Sequence, residues 1–263
     1  MPTLALNDIH VQYDDVGTGT PVLFIHGHPF NRSMWWPQVE ALQSDYRVVT
    51  FDLRGYGESS LGEGKQDFGV FTKDIDALLN ALDIHSAVIV GLSMGGQIAF
   101  ETWSQLPNRV QALVLADTFA QLDTLARKQE RYDTAERLLS EGMAAYADET
   151  LPKMIAPSTI RDQPQVAQHV LTMMQKTPPA GAAATLRARA ERQDYTPLLN
   201  GITVPTLIVV GRDDEFTPVS TAEFMHERIP NSQLVVIENA GHLPNLEQPD
   251  AFNQALLEFL QSV

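Results

Sequence analysis

The chain has 263 residues, no cysteine, and a formal net charge of −15 from 18 Lys and Arg against 33 Asp and Glu. That charge disfavours binding to nucleic acid or to an anionic membrane, and the missing cysteines exclude disulfides, a thiolate nucleophile and Cys-ligated metal. Apolar residues make up 44% of the chain, enough for a real core, and the length suits one sizeable α/β domain with room for an insertion. No apolar run approaches the length of a membrane span. The first residues lack the basic and long apolar segments of a signal peptide, so the expected location is cytoplasmic.

In chain order, Thr3–Leu6 and residues 9–13 alternate around Asn7-Asp8 and predict an antiparallel hairpin at a sheet edge. Pro21–Ile25 is continuously apolar, as expected of a parallel strand covered on both faces. Residues 33–42 predict a helix, 47–52 a strand, and 68–82 a helix with an apolar stripe at Phe71, Ile75, Leu78, Leu79 and Leu82. Residues 87–90 and Val110–Ala116 read as further strands. The alternation then stops. From 119 to 196 the chain is rich in Ala, Leu, Met, Arg, Gln and Glu, with breaks at Pro152, Pro157, Pro164 and Pro178-Pro179, which predicts several inserted helices. Strands resume at 205–210 and 233–237, and Pro249–Leu260 closes the chain as a helix. Alternating strands and helices imply a mostly parallel sheet of eight strands with helices on both faces. The expected organisation is a core of 1–118 and 197–263, with 119–196 as a helical cap.

Right-handed crossovers bring the C-terminal ends of the parallel strands to one edge, where ligand sites collect. The residues able to do chemistry follow these strands: His26 to Pro29, Ser93, Asp117, Asp213-Asp214 and His242. Ser93 lies in Gly91-Leu92-Ser93-Met94-Gly95, at a predicted strand-to-helix junction. This fits a nucleophile elbow, in which a tight turn lifts the hydroxyl clear of the sheet and glycines avoid collision with strand and helix. A serine hydroxyl is a poor nucleophile at neutral pH and needs a base oriented by a carboxylate. The chain order Ser93, then Asp213 or Asp214, then His242 supplies both. The plain alternatives are a solvated turn for Asp213 and Glu215 and a loop histidine for residue 242.

Taken together, His26-Gly27-His28-Pro29, residues 52–59, Gly91 to Gly96, Gly211 to Pro218 and Ala240-Gly241-His242 resemble the motifs of the α/β-hydrolase superfamily over nearly the whole chain. Within it the chain resembles small capped serine esterases, lactonases and cofactor-free haloperoxidase-type perhydrolases. The resemblance implies the α/β-hydrolase fold and a triad of Ser93, Asp214 and His242, with Asp117 as the rival acid. It implies an oxyanion hole from the backbone N–H groups of His28 and Met94, and no cofactor. It points to cleavage of small or medium ester or lactone substrates, acyl homoserine lactones and enol-lactones among them, through an acyl-enzyme. A perhydrolase is the alternative, carbon–carbon bond hydrolysis also stays open, and a ligand receptor on the same scaffold is the alternative from another class. Serine at position 93 weighs against a haloalkane dehalogenase, which needs a carboxylate nucleophile.

His26 reads as a structural hydrogen-bonding residue. His26 and His28 lack a further ligand cluster, so no metal is expected. His10, His85, His169 and His226 read as surface or packing residues. Asp52 reads as a strand-end cap and Arg54 as a structural ion pair. Phe119, Leu122 and Leu243 are the expected substrate contacts. Tyr132, Met143, Tyr146, Met154, Met173 and Met174 are divided between pocket wall and cap core. Of Trp35 and Trp36, at least one is expected to be buried. Arg187, Arg189 and Arg192 read as an exposed helix face rather than a carboxylate clamp.

Overall fold

The computed structural model describes residues 2–263. The elements run β1 (Thr3–Leu6), β2 (Ile9–Val16), β3 (Pro21–Ile25), α1 (Trp36–Leu42), β4 (Arg47–Phe51), α2 (Phe68–Ala81), β5 (Ala87–Leu92), α3 (Met94–Gln105) and β6 (Val110–Ala116). Five helices follow: α4 (Leu125–Glu141), α5 (Ala144–Met154), α6 (Pro157–Asp162), α7 (Pro164–Lys176) and α8 (Pro179–Glu191). The chain then returns to β7 (Thr206–Gly211), α9 (Val219–His226), β8 (Ser232–Ile237), α10 (Pro244–Glu247) and α11 (Pro249–Leu260).

The eight strands form one sheet in the order β1-β2-β4-β3-β5-β6-β7-β8. The β1–β2 and β2–β4 pairs are antiparallel; every later pair is parallel. The parallel strands obey a period of two. Leu23, Ile25, Ile89, Leu113, Leu115, Ile208 and Val210 pack on one face with α2, α3 and α9. Val22, Phe24, Val88, Val90, Val114, Leu207 and Val209 pack on the other with α11. Both faces are dry, which is why these strands read as unbroken apolar runs.

Strand order fixes where a site can form. From β3 the chain moves to β4 on one side, then crosses to β5 on the other. Such a reversal opens a crevice at the C-terminal ends of the two diverging strands. The loop after β3 carries His26 to Pro29, and the turn after β5 carries Ser93.

The sequence breaks at Pro157, Pro164 and Pro179 turn out to open α6, α7 and α8, because the first residue of a helix has no use for its N–H. Pro152 is different. The predicted break there is absent, and α5 runs through it to Met154; it lies in the last turn, where only one helical bond is forfeited. The predicted helix over 33–42 divides into a 3-10 turn at Arg32–Trp35 and α1. Trp35 is fully buried, whereas Trp36 is half-exposed.

Candidate active site

Ser93 is the single residue between β5 and α3. Its backbone sits at φ 56°, ψ −113°, a region that non-glycine residues occupy only when the surroundings enforce it. The enforcement is visible. Ser93 N–H donates to Ala116 O at 2.8 Å, and Thr118 Oγ1 donates to Ser93 O at 2.6 Å. A Cβ on Gly91 would stand 2.3 Å from Gly95 O, and one on Gly95 would stand 2.1 Å from Ile25 O. The two glycines therefore permit the strand–helix contact that sharpens the turn. Gly95→Ala is expected to destabilise the protein by about 1–3 kcal/mol or more, as overpacking against rigid backbone does. Urea denaturation, read as a lower midpoint at unchanged slope, checks this.

The loop after β8 presents His242. Its N–H donates to Met154 O at 3.0 Å, and its Nδ1 lies 2.7 Å from Asp214 Oδ2. Asp214 is held in turn by Phe216 N–H at 2.8 Å and Thr217 N–H at 3.1 Å, and by the Thr217 hydroxyl. Burial opposes ionisation of Asp214, but the charge of His242 and the hydrogen bonds from His242 and Thr217 outweigh it and hold the carboxyl below its usual range.

Two further buried carboxyls surround this pair. Glu247, on α10, accepts from Gly241 N–H (2.9 Å), Leu243 N–H (3.1 Å), Ala156 N–H (2.7 Å) and Thr159 Oγ1 (2.7 Å). One side chain thus ties the His242 loop to the start of α6. Asp117 accepts from Gly211 N–H at 2.8 Å, while its Oδ2 is buried without a partner. Burial, and then the negative charge of Asp214, push the Asp117 carboxyl well above its usual range. Of the two acids it is the one biased towards its protonated form. Asp117, Asp214 and His242 bring ligand atoms within 4.8 Å of one another, a spacing a metal would accept. Asp214 and His242 are nevertheless joined directly to each other, which is the arrangement of an oriented base.

Ser93, His28 and His242 all line one cavity of about 630 Å³. A family profile for the alpha/beta hydrolase fold matches residues 20–249. The chain belongs to this family. 3-Oxoadipate enol-lactonase 2 of Acinetobacter baylyi is 31% identical to it, over 97% of this chain and 94% of that protein. A thermophilic esterase from Thermogutta terrifontis, solved with malate bound, is 38% identical with a TM-score of 0.97, covering 100% of this chain and 99% of the other. A bromoperoxidase from Bacillus anthracis is 28% identical with a TM-score of 0.87, covering 99% and 100%.

In this alpha/beta hydrolase the remaining predicted residues fall into place unevenly. Met94 is the first residue of α3, so its N–H has no acceptor within the helix. His28 lines the cavity, with Nδ1 2.7 Å from Tyr56 Oη; burial, followed by the charge of Arg189, depresses its pKa well below the usual value. Phe119 and Leu122 line the cavity, and Leu122 is half-exposed at its mouth. Leu243 does not line it. The residue after His242 points into the sheet–helix core, fully buried near Phe252 and Leu256. Tyr146 and Met154 reach the cavity, whereas Met173 and Met174 pack into the core and Met143 into the helical insertion.

His26 is structural, as expected. Its Nε2 accepts from Leu53 N–H at 3.0 Å and its Nδ1 faces Gly27 O at 2.8 Å; burial lowers its pKa to about 4. Asp52 caps its strand end, accepting from Arg32 N–H at 2.8 Å and Glu58 N–H at 2.9 Å. Arg54 pairs with Asp74 at 2.6 Å.

The arginine expectation fails for two of three residues. Arg187 is part-exposed and pairs with Glu136 at 2.6 Å, but Arg189 and Arg192 are buried, with exposures of 8% and 5%. Helix α8 meets solvent along the narrow stripe of Ala180, Ala184, Arg187 and Glu191; Arg189 lies on its enclosed side, and Arg192 follows its last residue. Its Gly181 lies so close to Gly55 that a Cβ there would stand 1.8 Å from Gly55 O. Sequence reasoning also missed Arg131, Phe216 and Thr217 in the cavity wall and Glu247 behind it.

Proposed function

We propose that the protein is a serine hydrolase that cleaves carboxylic ester and lactone bonds of small to medium acyl substrates. The observation that carries this reading is the 2.7 Å bond between His242 Nδ1 and Asp214 Oδ2, in the wall of the cavity that also holds the strained Ser93. With Nδ1 committed to the carboxylate, Nε2 is the nitrogen left to take a proton from Ser93. Ser93 Oγ attacks the acyl carbonyl, and the Met94 and His28 N–H groups receive the developing oxyanion. His242 then returns the proton to the leaving alkoxide. Water, deprotonated by the same imidazole, releases the acid. Helices α4 to α8 act as the cap over this cavity. The reading is supported by the similarity to a named esterase and an enol-lactonase.

A p-nitrophenyl ester series from acetyl to octanoyl, assayed beside γ-lactones, δ-lactones and an acyl homoserine lactone, tests it. We expect turnover of the short aryl esters and of at least one lactone, with kcat/KM falling once the acyl chain outgrows the cavity. No turnover of any ester or lactone would overturn the proposal. The similarity to a bromoperoxidase favours one further activity. Hydrogen peroxide would take the place of water at the acyl-enzyme, giving a peracid and free Ser93. Peroxide with acetate and bromide should then brominate monochlorodimedone.

A further inference from the structure

One wall of the cavity carries a buried cation with no anion to answer it. Arg189, on α8, lines the same space as Ser93, His28 and His242. Its Nε donates to Gln97 Oε1 at 3.3 Å. Gln97 lies in the first turn of α3 and is itself completely buried, so it fixes the guanidinium without neutralising it. The neighbouring acid is already shared. Asp123 binds Arg131 through two hydrogen bonds, of 2.6 and 3.1 Å, and faces Arg192 at 3.8 Å. Arg192 is further engaged by Gln121 O and by the ring of Phe119, 4.9 Å away. Among the described residues no carboxylate forms an ion pair with Arg189. Three buried guanidinium groups therefore meet one carboxylate, in a chain whose net charge is −15.

A buried, unpaired charge is strongly unfavourable, and arginine does not escape by losing its proton. Burial, then the charge of Arg131, depresses the pKa of Arg189. An arginine retained for packing would be matched to an acid or to backbone carbonyls. His28 Nε2, in the same cavity lining, is buried with no partner among the described residues. The planar fork of the guanidinium matches a carboxylate in two parallel bonds.

We propose that Arg189 is the specificity-determining residue for a free carboxylate on the substrate, so that the preferred ester or lactone is a monoanion derived from a dicarboxylic acid. This inference rests on the hydrolase reading and narrows it.

The test compares monomethyl adipate with methyl adipamate, which differ only in carboxylate against primary amide. Methanol release is followed for the wild type, Arg189→Met and Arg189→Lys. The wild type should favour the acid, a preference that added salt screens little because the pair is buried. Arg189→Met should lower the acid-to-amide ratio of kcat/KM by about 10- to 100-fold, mainly through KM. Arg189→Lys should restore part of it, because the charge stays and the fork is lost. Misfolding would depress both substrates alike and leave the ratio unmoved. A wild type that does not discriminate, or a ratio unchanged in a methionine variant that keeps wild-type turnover of methyl adipamate, overturns the inference. Calorimetric binding of adipate against adipamide to the wild type and to Arg189→Met separates the two readings, charge selectivity being expected only in the wild type. Charge-selective binding without turnover of any ester would sustain Arg189 and sink the hydrolase, and turnover without charge selectivity would do the reverse.

Discussion

Ser93→Ala is expected to reduce ester turnover by about 10⁵- to 10⁶-fold, the loss seen when the nucleophile of an acyl-enzyme mechanism is removed. The size follows from the chemistry. In the proposed mechanism Asp214 and His242 raise the reactivity of one hydroxyl, and without it they have nothing to activate. What the proposed mechanism leaves is transition-state binding by the Met94 and His28 N–H groups, worth about 10³–10⁴ over water in serine hydrolases. The fold should survive, because alanine keeps the Cβ and the backbone bonds from Ser93 to Ala116 and Thr118 are unaffected. A fluorophosphonate probe should label the wild type at Ser93 and leave the variant unmodified, as mass spectrometry would report. Turnover within tenfold of the wild type would exclude an acyl-enzyme at this position.

The strands and the elbow were legible because each is dictated by a local physical demand. A strand covered on both faces must be apolar throughout, and Pro21–Ile25 and Val110–Ala116 are. A turn that forces Ser93 to φ 56° needs its neighbours to be small, and Gly91 and Gly95 are. The helical insertion obeys no such rule. In α8 the buried set includes Gly181, Ala182, Ala183, Thr185, Leu186, Ala188, Arg189 and Ala190, while the exposed stripe is Ala180, Ala184, Arg187 and Glu191; both sides carry alanine and arginine, so polarity does not mark which one faces solvent. The burial of Arg189 and Arg192 comes from tertiary enclosure, invisible in a helix of alanines and arginines. Leu243 failed for a related reason. Adjacency to His242 along the chain says nothing about direction, and α10 begins at the next residue and turns it into the core. No motif marks Glu247 in the sequence; its role comes from four donors that only the fold brings together on it.

Two aspartates compete for the role of orienting acid, and Asp214→Asn and Asp117→Asn should separate them. Asp214 receives His242 Nδ1 directly. Replacing it with an amide should favour the wrong imidazole tautomer and lower kcat by about 10⁴-fold. Burial biases Asp117 towards its protonated form, which asparagine mimics in shape and charge, so turnover of Asp117→Asn should stay within about threefold of the wild type, the level at which no transition-state interaction is lost. The two also differ in how they link folding to pH. The Asp214 pKa is depressed on folding, so its contribution is present above the unfolded value and is lost as pH falls through the folded one. The Asp117 pKa is raised. Its native carboxyl keeps a proton that the unfolded chain releases, so stability declines as pH climbs from the unfolded value, 3.8, towards the folded one. Asp117→Asn removes that penalty. Its thermal midpoint should exceed that of the wild type at pH 7, and the gap should close as the pH approaches 4. Should Asp117→Asn instead abolish turnover while Asp214→Asn retains it, the acid of this site would be the one after β6, and the 2.7 Å contact at Asp214 would be structural.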